Sequence, residues 1–406
     1  MEYSTDKANE KENENGLRYD IESLYAYFQR VFDARRRRGV RYSLATLLVV
    51  IFLAKLSGED RPTGIADWGK ARSEQIVEGL HLSYSHMPHA NTIRWVLQEV
   101  IDPLQFQQLC NEYLQLHSQA ETEQIALDGK TMRGTIPYGE TRGEHLISGY
   151  SVEKGTVLTQ EAVDCKENEI VAAPVALAKV DLRDKVVSGD AMQTQRGLSQ
   201  QIIAAGGDYV FPVKDNQPKM RQAIEQLFAP EKPKPGFGQI QNDFVTARTV
   251  NIGHGRIEVR TLTASSMLND YLDWPGLAQV YRLERKVKTM RAGQVVHQSC
   301  EVEYGITSLI RQKATPARLL RLRRNHWGVE SGLHYRRDVT LHEDATRMTD
   351  SHAAHNLAII NNLTVSIARL ASYDNLAQAR RFWAADLPST LSLLVSTPAN
   401  FPTTRG

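Results

Sequence analysis

Cysteine is scarce in this chain, which has only three among its 406 residues. Cys110, Cys165 and Cys300 form neither a Cys-x-x-Cys motif nor a spacing that predicts pairing. A small secreted fold held together by disulfides needs many closely spaced cysteines, so the sequence excludes that class. A reduced compartment, the cytoplasm, is therefore the expected location.

The sequence also lacks an apolar run long enough to cross a membrane. The strongest candidate extends from Leu44 to Ala54, follows the basic run Arg35–Arg38 and is closed by Lys55. A transmembrane helix needs about 20 apolar residues, so this shorter run predicts a buried helix of a globular domain. The stretch before it is polar and acidic, and no export signal is expected.

A strong excess of one charge sign is missing as well. The chain has 49 Lys and Arg against 47 Asp and Glu, which gives a formal net charge of +2. Total charge therefore does not indicate a nucleic-acid partner, and only the local distribution of charge can do so. Hydrophobic residues (41%) and charged residues (24%) occur at levels typical of a globular protein, and the length predicts two or three domains.

The N-terminal third divides into two segments. Residues 1–16 are charged and nearly devoid of apolar groups, which predicts a disordered tail. Residues 17–120 show apolar residues at helical spacing, as in the series Ile21, Leu24 and Phe28. This spacing predicts an all-helical N-terminal domain.

The pattern of apolar residues is different in the rest of the chain. Residues 121–229 and 309–375 alternate short β-rich runs with helical ones, which predicts an α/β core with a sheet of mixed direction. Between them, residues 230–308 begin with prolines and continue as alternating strands, so we expect a β-rich insertion. Residues 376–406 are expected to form a frayed C-terminal tail. No internal repeat is present.

Two acidic residues follow apolar runs typical of buried strands. Asp128 ends Ile125-Ala126-Leu127, and Asp190 follows Val186-Val187-Ser188-Gly189. A carboxylate at the end of a buried strand is held rigidly at the sheet edge, where ligands bind in open α/β sheets. Two alternatives remain open: Asp128-Gly129 also suits a β-turn, and Asp190 also suits the cap of a following helix.

A third acid, Glu330, lies in the basic stretch Arg323-Arg324-Asn325-His326-Trp327-Gly328-Val329-Glu330. On a helix it would share a face with His326 and His334, four residues away on either side. Three interpretations fit this spacing: a carboxylate metal ligand among cations that hold phosphates, a zinc site of His326, Glu330 and His334, or a solvated amphipathic helix.

Local charge favours the first interpretation. Between Arg311 and Arg347 there are nine Lys or Arg against four Asp or Glu. A basic stripe around a carboxylate suits a site where an acid-bound metal meets a phosphate backbone. A second basic cluster, Arg35–Arg38 with Arg41, fits either a nucleic-acid contact or a solvated patch.

Several stretches of the chain, in order, resemble the DDE transposases of the ISAs type, which include the H-repeat-associated proteins. The first acidic stretch is similar to the first motif of that family, and the stretch around Glu330 is similar to the third. The matching stretches are Arg41-Tyr42-Ser43-Leu44-Ala45-Thr46-Leu47-Leu48, Leu56-Ser57-Gly58, Ile125-Ala126-Leu127-Asp128-Gly129-Lys130, Lys166-Glu167-Asn168-Glu169-Ile170, Gly189-Asp190-Ala191-Met192, Gly207-Asp208-Tyr209-Val210, Lys214-Asp215-Asn216-Gln217, His254-Gly255-Arg256-Ile257-Glu258, His326-Trp327-Gly328-Val329-Glu330, Leu333-His334, Asp338-Val339, Glu343-Asp344 and Arg347.

The resemblance implies an RNase H-like core with Asp128, Asp190 and Glu330 as catalytic metal ligands for two Mg²⁺ ions, with Mn²⁺ as an alternative ion. It implies a β-rich insertion before Glu330 and double-stranded DNA as the partner, both as transposon terminal inverted repeats and as target. Two positions depart from the family pattern: Tyr335 stands where Trp is common, and Thr307-Ser308 replaces a Ser pair.

The expected function is therefore a DNA transposase that cleaves element ends and transfers the strands, acting as a homo-oligomer on DNA. The expected phosphate contacts are Lys130, Lys214, Asn216, Arg323, Arg324, His326 and Arg337, and His254 and Arg256 either contact DNA from the insertion or belong to a structured turn. Three alternatives remain: a catalytically inactive or domesticated DNA-binding relative, a simple endonuclease on the same fold, and a zinc hydrolase.

Overall fold

The computed structural model describes residues 9–36, 38, 40–163, 169–229, 242–292 and 294–402. The chain forms two compact units. Unit 1 comprises residues 1–121, 129–166 and 330–406, and unit 2 comprises residues 122–128 and 167–329. Most of the stretch Lys166–Ile170, which contributed to the family resemblance, lies outside the described residues.

The N-terminal part of unit 1 is helical, as the apolar spacing predicts. Its helices are α1 (Leu24–Gln29), α2 (Leu44–Leu56), α3 (Pro62–Ala71), α4 (Ser73–Gly79), α5 (Ala90–Trp95), a π-helical turn (Val96–Val100), α6 (Pro103–Ser118) and a 3₁₀ turn (Gln119–Glu121). Ser23, Ser43 and Asp102 cap α1, α2 and α6 by accepting backbone N–H hydrogen bonds with their side chains.

Helix α2 contains the apolar run that closes at Lys55. Eleven of its thirteen residues are buried, so the prediction of a core helix is confirmed. Lys55 itself is 1% exposed, and its ammonium group donates to Asp60 at 2.6 Å. Asp60 also accepts from Arg380 at 2.9 Å. In the described part of the chain, no helix is long and apolar enough to span a membrane.

Both ends of unit 1 are more ordered than the sequence predicts. Residues Glu10–Glu12 form strand β1, which pairs antiparallel with β2 (Arg18–Asp20), so disorder does not extend over all of residues 1–16. The segment predicted to be a frayed tail contains α12 (Leu376–Ala385), α13 (Leu387–Val395) and a 3₁₀ turn (Pro398–Asn400). Helix α13 packs against α1, α2 and α4 through buried leucines, which explains its order.

Nine strands form a mixed sheet in the order β5-β4-β3-β6-β7-β11-β10-β9-β8. Their bounds are β3 (Gln124–Thr131), β4 (His145–Ser151), β5 (Thr156–Val163), β6 (Val186–Ser188), β7 (Asp208–Val213), β8 (Val245–Gly253), β9 (Arg256–Ser265), β10 (Gln279–Arg291) and β11 (Gln294–Thr307). Strand β6 pairs in parallel with β3 and β7, and the remaining registers of β7 to β11 are antiparallel.

The segment predicted to be a β-rich insertion contributes β8 to β11. These strands do not form a separate sheet, because β11 pairs with β7 from Val210↔Thr307 to Val213↔Tyr304. The insertion therefore extends the core sheet of unit 2.

Helices α7 (Glu169–Leu177), α8 (Arg196–Ala204), α9 (Pro218–Leu227) and α10 (Pro316–His326) complete unit 2. Leu319, Leu320 and Leu322 of α10 pack into a buried core with residues of β6, β7, β9 and β10. Helix α10 therefore covers one face of this sheet.

The α-helical pattern of α10 ends at His326. Wider π-helical turns follow at Glu330–His334 and Arg336–Thr340, and a 3₁₀ turn lies earlier at Arg133–Thr135. A π-helix bonds residues five apart, so the four-residue spacing of His326, Glu330 and His334 does not define one α-helical face. The sequence-based assumption of a continuous α-helix through Glu330 is wrong at this point.

Unit 1 is centred on α11 (Ser351–Leu370), which packs against α2, α6 and β5. Sixteen of its twenty residues are buried, including several amides. The side-chain nitrogen of Asn356 donates to the carbonyl oxygens of Leu97 and Ile101 at 2.9 and 3.1 Å.

Candidate active site

Asp128 and Asp190 belong to neighbouring parallel segments but stand at different places along them. Ala126 of β3 is in register with Ser188, the last residue of β6. Asp190 follows two residues later, in the turn after β6, and Asp128 lies within β3, which continues to Thr131. Side chains two residues apart point to the same face, and neighbouring strands lie about 4.8 Å apart. The parallel register therefore brings the backbone at Asp128 and the turn that carries Asp190 to the same region of unit 2.

A tight turn after β6 fixes Asp190. Its Oδ1 accepts from the backbone N–H of Gln193 at 3.1 Å, and the Gln193 side chain donates to Glu169 at 3.1 Å. A Cβ at Gly189 would lie 2.8 Å from the Gln193 Cβ, so only glycine fits there. Helix α8 has Gln195 as its N-cap residue, so Asp190 is not the cap of that helix.

The pKa of Asp190 is raised above its ordinary value. Loss of water around the carboxyl group is the largest cause, and the negative charge of Glu169 adds to it. The backbone N–H groups of Gln193 and Met192 and the charge of Lys214 lower the pKa without cancelling these effects. A divalent cation would stabilise such a carboxylate, and carboxylate oxygens are the ligands that Mg²⁺ and Mn²⁺ prefer.

Helix α10 is fastened to the segment that leads to Asp190. The Oγ of Ser188 lies 3.2 Å from Nδ1 of His326. Gln124 of β3 donates from one amide nitrogen to Ser188 Oγ and to the Leu322 carbonyl, each at 2.8 Å. Arg323 donates to the Gly189 carbonyl oxygen at 3.3 Å. These contacts fix the backbone just before Asp190.

Unit 1 contains an acidic cluster that the sequence analysis did not single out as a site. Oxygen atoms of Asp338, Glu343 and Asp344 lie within 4.8 Å of one another. Lys130 contacts Asp338 at 2.6 Å and Asp344 at 4.0 Å. Close spacing of acids beyond Glu330 was the available sequence signal, but the partners of these acids depend on the fold.

Glu343 and Arg337 form the buried part of this cluster. Arg337 donates from Nε and NH2 to the two Glu343 oxygens, each at 2.8 Å, and its side chain is fully buried. Burial alone would raise the pKa of Glu343, but the charge and hydrogen bonds of Arg337 hold it below the ordinary value. The pair is therefore ionised, and it holds the chain after Glu330 in place.

Two protein-family models match most of this chain. Residues 119–367 match the family described as Transposase DDE domain, and residues 25–114 match the domain described as DDE_Tnp_1-associated. The first match alone covers more than half of the chain. The chain belongs to the transposase DDE-domain family. The resemblance seen in the sequence motifs is thereby confirmed, as is the predicted α/β fold with a helical N-terminal region.

Relatives of this transposase-family chain carry matching names. "Putative transposase YncI" of Escherichia coli O157:H7 is 30% identical over 360 residues, which cover 86% of this chain and 88% of that protein. "H repeat-associated putative transposase YhhI" of Escherichia coli K12 is 27% identical over 354 residues, covering 86% and 90%. A piggyBac transposase synaptic complex gives a TM-score of 0.44 at 9% identity, covering 91% of this chain and 77% of that one, too low to establish a shared fold.

Three of the predicted phosphate contacts in this transposase-family chain are enclosed by protein. Lys130 and Arg337 are 8% and 0% exposed and are bound to the acids of unit 1. Arg323 is 5% exposed, and its Nε and NH2 donate to both oxygens of Glu303 at 2.9 and 3.0 Å. The sequence analysis predicts these residues as DNA contacts, and the structure corrects this. A count of charges along the sequence cannot show which acidic side chain each basic side chain pairs with.

His326 and His334 are also enclosed. Burial is the main cause that lowers the pKa of each histidine to about 3, and the charge of Arg323 or Arg337, respectively, adds to it. Both rings are therefore neutral near pH 7. His326 cannot act as a cationic phosphate contact, which corrects that prediction too.

The other predicted contacts are more accessible. Lys214 and Arg324 are exposed, and Arg324 lies 3.4 Å from the side chain of Asn251. Asn216 donates to the Ala191 carbonyl oxygen at 2.6 Å, so it joins the loop after β7 to the loop that carries Asp190. Glu330 is exposed and begins the first π-helical turn in unit 1.

Proposed function

We propose that this chain is a DNA transposase that cleaves phosphodiesters at the ends of a mobile element and joins the freed strands to target DNA. Membership of the transposase DDE-domain family supports the class of reaction. The site assignment is supported by the parallel register of β3 and β6, in which Asp128 and Asp190 each follow a paired residue, Ala126 or Ser188, by two positions.

Asp128, Asp190 and Glu330 are the proposed catalytic metal ligands. The first two are supported by geometry within unit 2 and by their all-oxygen donor chemistry. Glu330 is supported by its place in the motif His326-Trp327-Gly328-Val329-Glu330, which resembles the third motif of the family. A pair of Mg²⁺ or Mn²⁺ ions, when bound, activates water and stabilises negative charge on the attacking and leaving oxygens.

The chemistry is two in-line displacements at phosphorus. In the first, water attacks the scissile phosphate and the 3′ oxygen of the element leaves as a 3′-OH. In the second, that 3′-OH attacks a target phosphodiester, forms a new P–O bond and expels the 3′ oxygen of the target strand. Arg323, His326 and Gln124 hold the backbone before Asp190, so they preserve the position of its carboxylate during both steps.

Exposed cations near this strand end suit binding of the phosphate backbone. Lys214 follows β7, and Arg324 lies in the last turn of α10. Binding of two element ends at once requires more than one active site, so we propose a homo-oligomer on double-stranded DNA. The scarcity of cysteine fits a cytoplasmic protein.

The test is Asp190→Asn, which removes one negative charge and keeps the shape of the side chain. Cleavage of duplex DNA that carries the sequences flanking this reading frame should fall at least about 10³-fold in Mg²⁺, because this negative charge would hold the metal ion that stabilises the reacting phosphate. DNA binding should change less than about twofold. Asp128→Asn should behave in the same way.

Asp181→Asn is the matched control, because Asp181 lies before β6 in the same unit and pairs with Arg183 at the surface. It should leave cleavage unchanged. Undiminished cutting by Asp190→Asn would remove that residue from the site. Joining of pre-cleaved ends to a target plasmid separates a transposase from an endonuclease, which would cut without joining.

A further inference from the structure

Unit 2 contains a cavity of about 680 Å³ beside the end of β7 and the last turn of α10. Six cationic side chains line it, against three acidic ones, Asp215, Glu301 and Glu303. The cations are Lys214, Arg221, Arg260, Arg285, Arg323 and Arg324. This lining therefore has an excess of positive charge, whereas the whole chain is nearly neutral.

The register of the inserted strands explains how arginines reach this cavity. Across β9 and β10, Leu262 is opposite Leu283, and Arg260 is opposite Arg285 two residues further out. Strand β11 continues the outer row with Glu301. Residues two apart share a face. The leucine row therefore packs into the core beneath α10, and the arginine row lies on the same face where that core ends.

The carboxylates near the arginine row neutralise it only in part. Arg260 and Arg285 share one acid, Glu258, with Arg260 at 2.9 Å. Arg285 also contacts Glu301 at 3.1 Å. Within the described residues, Arg324 has no carboxylate partner and contacts only the amide of Asn251.

Three guanidinium groups converge at this place. When the side-chain oxygen and nitrogen of Asn251 are exchanged, the oxygen accepts hydrogen bonds from NH1 of Arg324 and from NH1 of Arg260, each at 3.2 Å. Burial is the main cause that lowers the pKa of Arg260; Glu258 opposes this, and the charges of Arg324 and Arg285 add to it. Holding like charges together is unfavourable, so this arrangement is stabilised when an anion enters.

The cavity also adjoins the segment that leads to Asp190. Arg323 lines it and donates to the carbonyl oxygen of Gly189, the residue before Asp190, at 3.3 Å. Lys214, directly after β7, lines it as well. Arg323 is already bound to both oxygens of Glu303, so it is not counted among the free donors.

We propose that Arg260, Arg285 and Arg324 form a phosphate-binding pocket that holds the backbone of the DNA strand next to the scissile phosphate. The inference rests on the proposed function and adds to it a role for the inserted strands. Guanidinium forks match phosphate oxygens in geometry and charge, and three of them can contact successive phosphates of one strand.

The experiment uses the full-length protein with Arg260→Gln, Arg285→Gln and Arg324→Gln as single variants. Binding of fluorescein-labelled duplex DNA is followed by anisotropy at several salt concentrations. Each variant should weaken binding about 5- to 20-fold and reduce the slope of log K against log salt by about one, because one phosphate contact is lost. Arg260→Lys, which keeps the charge, should recover most of the slope.

Lys288→Gln is the matched control, because Lys288 lies on β10 with its side chain on the opposite face from Arg285. It removes the same charge and should leave affinity and slope within about twofold of the parent. Thermal melts of each variant verify that folding is retained. Equal losses in Lys288→Gln and the arginine variants would show a general charge effect and overturn the pocket.

Three further outcomes test the pocket and the function on which it rests. Tight DNA binding that the three arginine variants leave unchanged would overturn the pocket and leave the proposed transposase intact. No binding of duplex DNA by the unmodified protein would overturn both. Inorganic phosphate is added as a competitor at concentrations where Lys288→Gln and the parent bind DNA equally. Occupation of the three-arginine pocket by phosphate under these conditions would show that the pocket is a site for free phosphate instead of a DNA strand.

Discussion

Arg323 joins three parts of unit 2 through a single side chain. Its fork binds Glu303 of β11, while NH1 donates to the carbonyl oxygen of Gly189, immediately before Asp190. Burial opposes the charge of Arg323, but Glu303 keeps its pKa above the ordinary value, so the group stays ionised. We infer that Arg323 is a positioning residue that acts on catalysis through the backbone at Asp190.

Arg323→Lys tests this role, because lysine keeps the charge and loses the fork. Cleavage should fall about 10- to 100-fold, since a small displacement of a catalytic group has an effect of that size. DNA affinity and its salt dependence should remain unchanged, and both are measured by anisotropy titration. Arg321→Lys, on the exposed side of the same helix and bound to Glu123, should change neither property. A reduced salt slope in Arg323→Lys would instead indicate direct contact with phosphate.

At the scale of single residues, strand-end acids can be predicted and the partners of basic residues cannot. The apolar run before Asp190 predicts β6, which ends two residues before this acid, whereas β3 continues beyond Asp128 to Thr131. Lys130 and Arg337 show the opposite case, because their acids lie at Asp338 and Glu343, and only the folded chain brings Lys130 to an acid 208 residues away. A basic stripe in sequence therefore overstates the number of cations available to DNA.

At the scale of elements, the Arg337–Glu343 pair anchors the second π-helical turn to α11. Asn361 of α11 donates to Glu343 at 2.7 Å, and Asn362 accepts from Arg337 at 3.1 Å. Two amides of a buried helix thus bind this pair. Removing one member would leave a charge without its partner in the interior of unit 1.

Arg337→Met should therefore lower the free energy of unfolding by about 3–5 kcal/mol, measured by urea denaturation. The double variant Arg337→Met with Glu343→Leu should recover most of this loss, because no buried charge remains. Arg381→Met, at an exposed position of α12, is the control and should change stability by less than about 0.5 kcal/mol. A loss below about 1 kcal/mol in Arg337→Met would show that water reaches the pair.

Element prediction succeeded where apolar periodicity was strong and failed where contacts were distant. The run Leu44–Ala54 gave α2 directly. The C-terminal helices were missed, although Leu387, Leu391 and Leu394 have helical spacing, because the nearby prolines were taken as a sign of fraying. Strand β1 consists of exposed polar residues, so only its pairing with β2 defines it.

At the scale of the whole molecule, stability should fall as the pH is lowered from 7. His326 and His334 have pKa values lowered to about 3, whereas an unfolded histidine has a pKa of about 6.5. Below about pH 6.5 these two histidines bind protons in the unfolded chain but stay neutral in the folded chain, so the free energy of unfolding decreases. Glu343, whose pKa is lowered in the fold, adds a further loss below its ordinary value of about 4.5.

Urea denaturation at pH 7.5, 6.5, 5.5 and 4.5 measures this dependence. His326→Gln should flatten the decrease between pH 6.5 and 5.5, because one of the two buried rings no longer titrates on unfolding. His297→Gln, at an exposed position of β11, should leave the profile as it is in the parent. Stability that stays constant down to pH 5 would contradict the neutral, enclosed state of both rings.

The general architecture follows from the sequence, but the continuity of the sheet does not. Alternating runs in residues 230–308 predict strands, and nothing local to them shows that the last one pairs with β7. That pairing joins residues about one hundred positions apart, as in Val210↔Thr307. Long-range strand pairing depends on the complete fold and cannot be read from periodicity.

Because β11 covers the side of β7 that would otherwise be open, a truncated protein lacking residues 230–308 would not be a smaller soluble catalyst. It would present bare backbone donors and acceptors along a strand of aromatic and β-branched residues, Asp208–Val213. Such an edge recruits other chains into intermolecular sheets. Miniaturising this protein would therefore require a replacement strand, supplied by a redesigned hairpin, to keep the shortened product from precipitating.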